Sequence, residues 1–110
     1  MVYYKDLLKI NEYVCMRSKQ NSIVINSSNL QSALSVQQWY DDKQERACAL
    51  FRSLIIAHGF QDGNKRTAVL VLILVCDPNI NRAKLTKIAI EVAKGTIKDV
   101  DVLKKLIYGE

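Results

Sequence analysis

Residues 58–66, His-Gly-Phe-Gln-Asp-Gly-Asn-Lys-Arg, lie between two stretches whose apolar residues recur at helical spacing. Asn64 is a good helix N-cap, and the helix predicted after it begins with the cations Lys65 and Arg66. The helix dipole presents partial positive charge at an N-terminus, so cations are disfavoured there by about 0.3–1 kcal/mol. Two cations beside exposed backbone N–H groups favour a bound anion, and we therefore predict a phosphate site with His58 next to it.

The apolar periodicity on both sides of this stretch predicts an all-α, single-domain bundle. Helices are predicted at residues 2–16, 27 or 28 to 34, 44–57, 64–76, 81 or 82 to 94, and 100–108. The helix starting at residue 64 is apolar all round after its first turn, which predicts a central helix buried on every side. Pro78 cannot continue it and ends it.

Two connections between helices carry further predictions. Residues 22–26, Ser-Ile-Val-Ile-Asn, form a short β-like run. A run this short cannot form a sheet core, so it is either buried as extended chain or an exposed edge that pairs with another segment. Residues 37–43 are expected to form a polar connection that Trp39 and Tyr40 anchor to the core.

The length and composition predict one ordered domain over residues 1–110. Domains usually run about 50–250 residues, and 49% hydrophobic with 25% charged residues is typical of an ordered globular protein. The net charge of +5 comes from Lys and Arg scattered along several helices, which argues against direct nucleic-acid binding. A basic balance equally suits a nucleotide or an acidic protein partner.

The cysteines and the apolar runs predict a cytoplasmic protein without a membrane segment. Cys15, Cys48 and Cys76 lack CxxC spacing and sit among apolar residues, so we expect small buried hydrophobes with no disulfide or zinc site. Charges such as Lys5 interrupt the N-terminal apolar residues, which excludes a typical signal peptide. The longest apolar run, residues 68–76, is far shorter than the ~20 residues of a bilayer span.

The side chains of the opening stretch have individual chemical uses. Histidine side chains commonly act as general bases, so His58, the only histidine, can take a proton from an attacking hydroxyl. Asp62 is either an ordinary turn residue or an oxygen ligand for Mg²⁺. Gly63 lets backbone N–H groups approach a phosphate, and Lys65 and Arg66 can hold phosphate oxygens.

Taken together, the stretch resembles the signature of the Fic/Doc family, H-x-F-x-[DE]-[AG]-N-[GK]-R. Every specified position matches, namely His58, Phe60, Asp62, Gly63, Asn64, Lys65 and Arg66. Residues 30–34 and 90–95 are also similar to the L-x-S-A-L and V-A-x-G stretches of Doc-type members. The resemblance extends over roughly residues 22 to 107.

The resemblance implies a helical fold that binds ATP with Mg²⁺ and transfers a phosphorus-bearing group to a hydroxyl side chain of a target protein. It implies that His58 is the general base and that Asp62 binds Mg²⁺. It also implies that the phosphates are bound by Gly63, Asn64, Lys65 and Arg66. The flap that aligns the target would be formed by Ile23, Val24 and Ile25. The side chain of Phe60 is expected to be buried and to anchor the loop to the core.

Two departures from the AMP-transferring members bear on the reaction. Those members usually have Gly after the motif Asn and a second Arg three positions after the first, where this chain has Lys65 and Val69. Both departures resemble Doc, the death-on-curing toxin, a kinase whose target is a threonine of elongation factor Tu. A Doc-like kinase is therefore favoured, with an AMP transferase and a catalytically silent binding module as the alternatives.

Regulation and loop rigidity give two last expectations. Many Fic proteins carry an inhibitory helix with the pattern S/T-x-x-x-E-[GN], and this sequence has no match, since Glu91 falls one position too late after Thr86. We therefore expect a separate, Phd-like antitoxin partner whose disordered segment folds on binding. Gly59 stands where Fic members commonly have Pro, which is expected to loosen the loop.

Overall fold

A computed structural model describes residues 1–109 of the chain as a helical bundle. Six α-helices follow one another: α1 (Tyr4–Arg17), α2 (Ser27–Ser35), α3 (Lys43–Ala57), α4 (Asn64–Val71), α5 (Arg82–Lys94) and α6 (Val100–Tyr108). A 3-10 turn, Val36–Trp39, follows α2, and a π-helical turn, Leu72–Cys76, continues α4. No strand occurs among residues 1–109, and the all-α prediction is confirmed.

Short polar side chains define where several helices begin. Asn26, Asp42 and Asn81 each accept a hydrogen bond at 2.9 Å from a backbone N–H in the first turn of α2, α3 and α5. Such caps satisfy N–H groups that have no partner inside the helix. At the other end of α5, Gly95 takes a left-handed conformation with φ 83° and closes the helix.

Helices α3 and α4 form the centre of the bundle. α3 packs against α2, α4, α5 and α6, whereas α4 packs against α1, α3 and α5. Phe51 of α3 is completely buried, and α4 is buried continuously from Thr67 onward. The prediction of a central helix after residue 64 is confirmed for this part, so the loop between α3 and α4 connects the two central helices of the bundle.

The end of the predicted central helix is not buried, which corrects the prediction for residues 74–76. Leu74 is 64% exposed, and Val75 and Cys76 are also exposed. The chain changes there to a π-helical turn, closed by the N–H of Asp77 donating to the carbonyl of Leu72 at 2.7 Å. The wider repeat rotates the following side chains away from the core. Cys76 was therefore wrongly predicted to be buried, whereas Cys15 and Cys48 are buried as expected.

The connection after α2 is anchored by a different residue from those expected. Trp39 is 77% exposed, so the prediction that it anchors the loop is wrong, and Tyr40 is half-buried. The buried residue is Gln37. Its side-chain amide accepts a hydrogen bond from the backbone N–H of Val2 and donates one to the carbonyl of Val2, both at 2.9 Å. Residues three apart share a side of a 3-10 turn, which places Gln37 and Tyr40 inward and Trp39 outward.

Within residues 1–109, no helix combines the length and the apolar character needed to cross a membrane.

Truncation of the central aromatic side chain tests this core. Phe51→Ala should lower the free energy of unfolding by about 3–5 kcal/mol, because it removes buried contacts and leaves a cavity. Ile56→Ala on the same helix is the matched control, since Ile56 is exposed and surface changes usually stay within about 0.5 kcal/mol. Urea denaturation measures both, and equal losses would show that α3 is not central.

Candidate functional site

His58 ends α3 in a conformation that turns its side chain outward. Its φ of 46° and ψ of 49° lie in the left-handed region, which a non-glycine residue rarely adopts. That conformation stops the helix and starts the loop to α4. The ring is exposed, and its Nδ1 lies 3.4 Å from Nδ2 of Asn64, a long contact. A hydroxyl arriving from solvent can therefore reach the imidazole.

Asn64 fastens the loop instead of capping α4, which corrects the predicted N-cap. Gly63 occupies the N-cap position with φ 77°, and Asn64 is the first residue of the helix. Its buried amide accepts from the N–H of Phe60 at 3.0 Å and donates to the carbonyl of Phe60 at 2.7 Å. A carboxamide carries both a donor and an acceptor, so it satisfies both backbone polar groups of one residue, Phe60. The orphan backbone N–H groups of the first turn remain available to a ligand.

Both glycines of the loop are required by close packing. A Cβ on Gly59 would lie 2.3 Å from Cγ of Leu30, and one on Gly63 would lie 3.0 Å from Cγ1 of Val14. Gly63 also needs its positive φ. Gly59 is buried against Leu30 of α2, and the expectation that it loosens the loop stays a prediction. Phe60, between them, is buried in the core.

Asn11 of α1 supports the site and was missed in the sequence. It is completely buried, and its Nδ2 donates to the carbonyl of Asp62 at 2.9 Å and to Oγ1 of Thr67 at 3.1 Å. Its Oδ1 accepts from Oγ of Ser22 at 2.7 Å. One amide thus joins α1, the loop, α4 and the first residue of the β-like run. The available signal was a polar residue on the apolar face of α1, four positions after the buried Leu7.

The β-like run lies directly against the loop. Val24 and Phe60 form an antiparallel bridge, and the N–H of Gln61 donates to the carbonyl of Ile23 at 2.8 Å. The N–H of Ile25 donates to the carbonyl of Gly59 at 2.8 Å. In such a pair the backbone groups of the bridged residue point the other way, and no described residue bonds the outer edge at Val24. Ile23 and Ile25 are exposed, so this edge can accept another extended segment.

The charged side chains lie around the start of α4. Lys65 and Arg66 are exposed, and Nη2 of Arg66 donates to Oε1 of Gln20 at 2.5 Å. Asp62 is half-buried, and its carboxylate takes part in no hydrogen bond or ion pair with residues 1–109. Burial raises the pKa of the nearby Cys15 thiol, the Asp62 charge raises it further, and Arg66 opposes both.

The Asp62 carboxylate could hold a metal cation only if a bound ligand or water supplied the other coordinating oxygens. Among residues 1–109, no group of three or more His, Cys, Asp or Glu side chains is gathered at one place. Mg²⁺ is often bound by one or two carboxylates together with waters and substrate phosphates. Asp62, with both oxygens unengaged, is compatible with that mode.

These elements together can hold an anion next to a base. His58, Asp62, Lys65 and Arg66 all lie within nine residues at this loop and are exposed or half-buried, and the bridge between Val24 and Phe60 adds an open backbone edge at the loop. The arrangement can neutralise phosphate charge, accept a proton and align an extended peptide.

A protein-family model described as the Fic/DOC family matches residues 4–76. The match spans α1 to the π-helical turn and so includes the whole site. No curated protein and no solved structure matches the chain significantly.

Removal of the buried amide tests how the loop is supported. Asn11→Ala should lower the free energy of unfolding by about 1–3 kcal/mol, because the carbonyl of Asp62 and Oγ1 of Thr67 each lose the hydrogen bond from the Asn11 amide. Glu12→Ala is the control on the same helix, since Glu12 is exposed. Equal unfolding midpoints for the two variants in urea would contradict a supporting role for Asn11.

Proposed function

Because the chain belongs to the Fic/DOC family, we propose that it transfers the γ-phosphate of ATP to a hydroxyl side chain of a target protein. The observation that carries the proposal is the single loop that presents His58, Asp62, Lys65 and Arg66 at the start of a buried helix. Phosphoryl transfer depends mainly on positioning and on charge neutralisation, and these are the properties that this loop offers.

Two residues favour γ-phosphate transfer over AMP transfer. Lys65 places a charged side chain at the first turn of α4, where AMP-transferring relatives usually have Gly. Val69 occupies the position of their second Arg, and it is buried in the core, so it supplies no phosphate contact. The site therefore lacks the second Arg of the AMP-transferring members and has Lys65 in its first turn instead, and in both respects it resembles the Doc branch.

The proposed reaction assigns a step to each side chain. His58 takes the proton from the attacking hydroxyl, whose oxygen forms a bond to the γ-phosphorus while the bond to the bridging β–γ oxygen breaks and ADP leaves. Backbone N–H groups of Gly63, Asn64 and the following turn, with Lys65 and Arg66, hold the phosphate oxygens. Asp62 would hold Mg²⁺, which when bound neutralises negative charge on the phosphates.

The flap formed by Ile23, Val24 and Ile25 would orient the target. An extended peptide that pairs with the outer edge at Val24 lies beside the loop, because the inner edge is already bonded to Gly59 and Gln61. Main-chain pairing of this kind positions a hydroxyl without demanding one sequence. A translation factor similar to elongation factor Tu is the target class that the Doc resemblance favours.

The proposed biological setting is a toxin–antitoxin pair. The sequence has no match to the family's inhibitory-helix pattern, so an active enzyme would need a separate inhibitor. A Phd-like antitoxin that folds on binding near the flap would supply it.

The position of the isotope in labelled ATP tests the reaction. Incubation of the protein with Mg²⁺, elongation factor Tu or a cell extract, and ATP labelled at the γ position should label a target protein, whereas ATP labelled at the α position should not. Label from α-ATP alone would identify an AMP transferase. No protein labelling from either would favour the silent binding module.

Replacement of the base tests its role. His58→Ala should reduce the transfer rate by about 10²–10⁴-fold, the usual contribution of a general base, and should leave ATP binding nearly unchanged. Gln61→Ala is the matched control, because Gln61 is exposed in the same loop. Transfer by His58→Ala at the rate of the control would exclude His58 as the base.

A further inference from the structure

The turn that ends α1 places the side chain of Gln20 against Arg66 at the proposed phosphate site. The N–H of Lys19 donates to the carbonyl of Met16 at 3.3 Å, and the N–H of Gln20 donates to the carbonyl of Cys15 at 2.8 Å. This pair of bonds is the Schellman motif. It requires a left-handed residue, usually Gly, and here Lys19 adopts that conformation with φ 57°. The strained turn fixes the backbone of Gln20 relative to α1.

Gln20 then contacts the site across a large sequence separation. Its Oε1 accepts from Nη2 of Arg66 at 2.5 Å and lies 3.0 Å from Oγ of Ser18. Oγ of Ser18 lies in turn 3.0 Å from the carbonyl of Val14. Gln20 is the only one of the described residues that is hydrogen-bonded to the guanidinium of Arg66, so this contact holds an otherwise free exposed side chain in one direction.

We propose that Gln20 is a positioning residue that orients Arg66 for the phosphates of the nucleotide; the inference rests on the proposed function. A guanidinium carries several N–H donors, and Gln20 engages one of the two N–H groups on Nη2. The remaining donors stay available for a phosphate. Orientation before binding lowers the conformational entropy that Arg66 loses when it binds.

The uncharged amide of Gln20 can orient the guanidinium of Arg66 without cancelling its positive charge. A carboxylate at position 20 would also accept from Arg66, but it would cancel the positive charge and repel the phosphates. An amide oxygen aligns the guanidinium and leaves its charge intact. Lys65 lies next to Arg66 at the start of α4, so the anion site keeps both of its cations. The proposal therefore predicts different effects for the removal of the acceptor and for its replacement by a charge.

Titration of the protein with Mg²⁺ and ATP by calorimetry tests the proposal. Gln20→Ala should weaken ATP binding by about 2- to 10-fold, the range expected for the loss of one hydrogen bond. Gln20→Glu should weaken it more than Gln20→Ala does. Asn21→Ala is the exposed neighbouring control and should bind as the unaltered protein does. All unfolding midpoints should agree, because Gln20 and Asn21 are exposed.

A double variant separates positioning of Arg66 from any other effect. In an Arg66→Ala background, Gln20→Ala should cause no further loss of affinity, because the two residues act through one contact. In steady-state transfer assays, Gln20→Ala should raise KM for ATP more than it lowers kcat.

Four results would overturn the inference. Tighter ATP binding by Gln20→Ala would mean that Gln20 competes with the phosphate, and unchanged binding would mean that the contact is idle. A full additional loss in the Arg66→Ala background would mean that Gln20 acts elsewhere. The binding titrations need no turnover, so a protein that binds ATP but transfers nothing refutes the proposed function alone. A protein that binds neither ATP nor inorganic tripolyphosphate refutes the inference as well.

Discussion

The two hydrogen bonds between the amide of Asn64 and the backbone of Phe60 are the constraint on which the site depends. A loop that enters a helical core must satisfy its backbone polar groups, and the flap bonds those of Gly59 and Gln61 but not those of Phe60. Here the first side chain of α4 serves as the missing partner. Phe60 can then be buried, while His58 and Lys65 at the two ends of the loop stay exposed. Rigidity and access are thereby combined in one short segment.

A second buried amide extends this constraint to the rest of the molecule. Asn11 connects α1 with the carbonyl of Asp62, with Thr67 of α4 and with Ser22 before the flap. A fully satisfied buried amide favours one arrangement of its partners, because any alternative leaves polar groups unpaired in the core. The backbone that carries the Asp62 carboxylate and the segment that leads to the flap are therefore held relative to one another.

Backbone strain is concentrated near the same surface. Within the described part of the chain, the non-glycine residues with positive φ are Lys19 and His58. Each lies at the C-terminal end of a helix. His58 is itself part of the family motif, and Lys19 directly precedes Gln20, which contacts Arg66 of the motif. Sparsely populated backbone conformations persist only where the surrounding structure imposes them, and they tend to occur at functional positions. Their location here agrees with the location of the family motif.

Much of the fold was predictable because its signals are local. Apolar spacing and polar caps such as Asn26 and Asp42 act within one or two helical turns, so helix positions follow from neighbouring residues. The failures also have physical causes. The 3-10 turn moved Trp39 outward and Gln37 inward, and the π-helical turn exposed Leu74, and neither change of helical repeat is visible in a pattern of apolar residues.

The sequence by itself determined the family, the helical class and the loop that carries the motif, since these depend on residue types at fixed short spacings. Only the tertiary structure decided what holds the loop. The partners of Asn11 lie 51 and 56 positions further along the chain, and Gln20 meets Arg66 across 46 positions. Contacts over such separations arise from the packing of α1 against α4, for which no local pattern exists. For the loop at residues 58–66, the residues of the family motif could be identified from the sequence, and the distant residues that contact them could not.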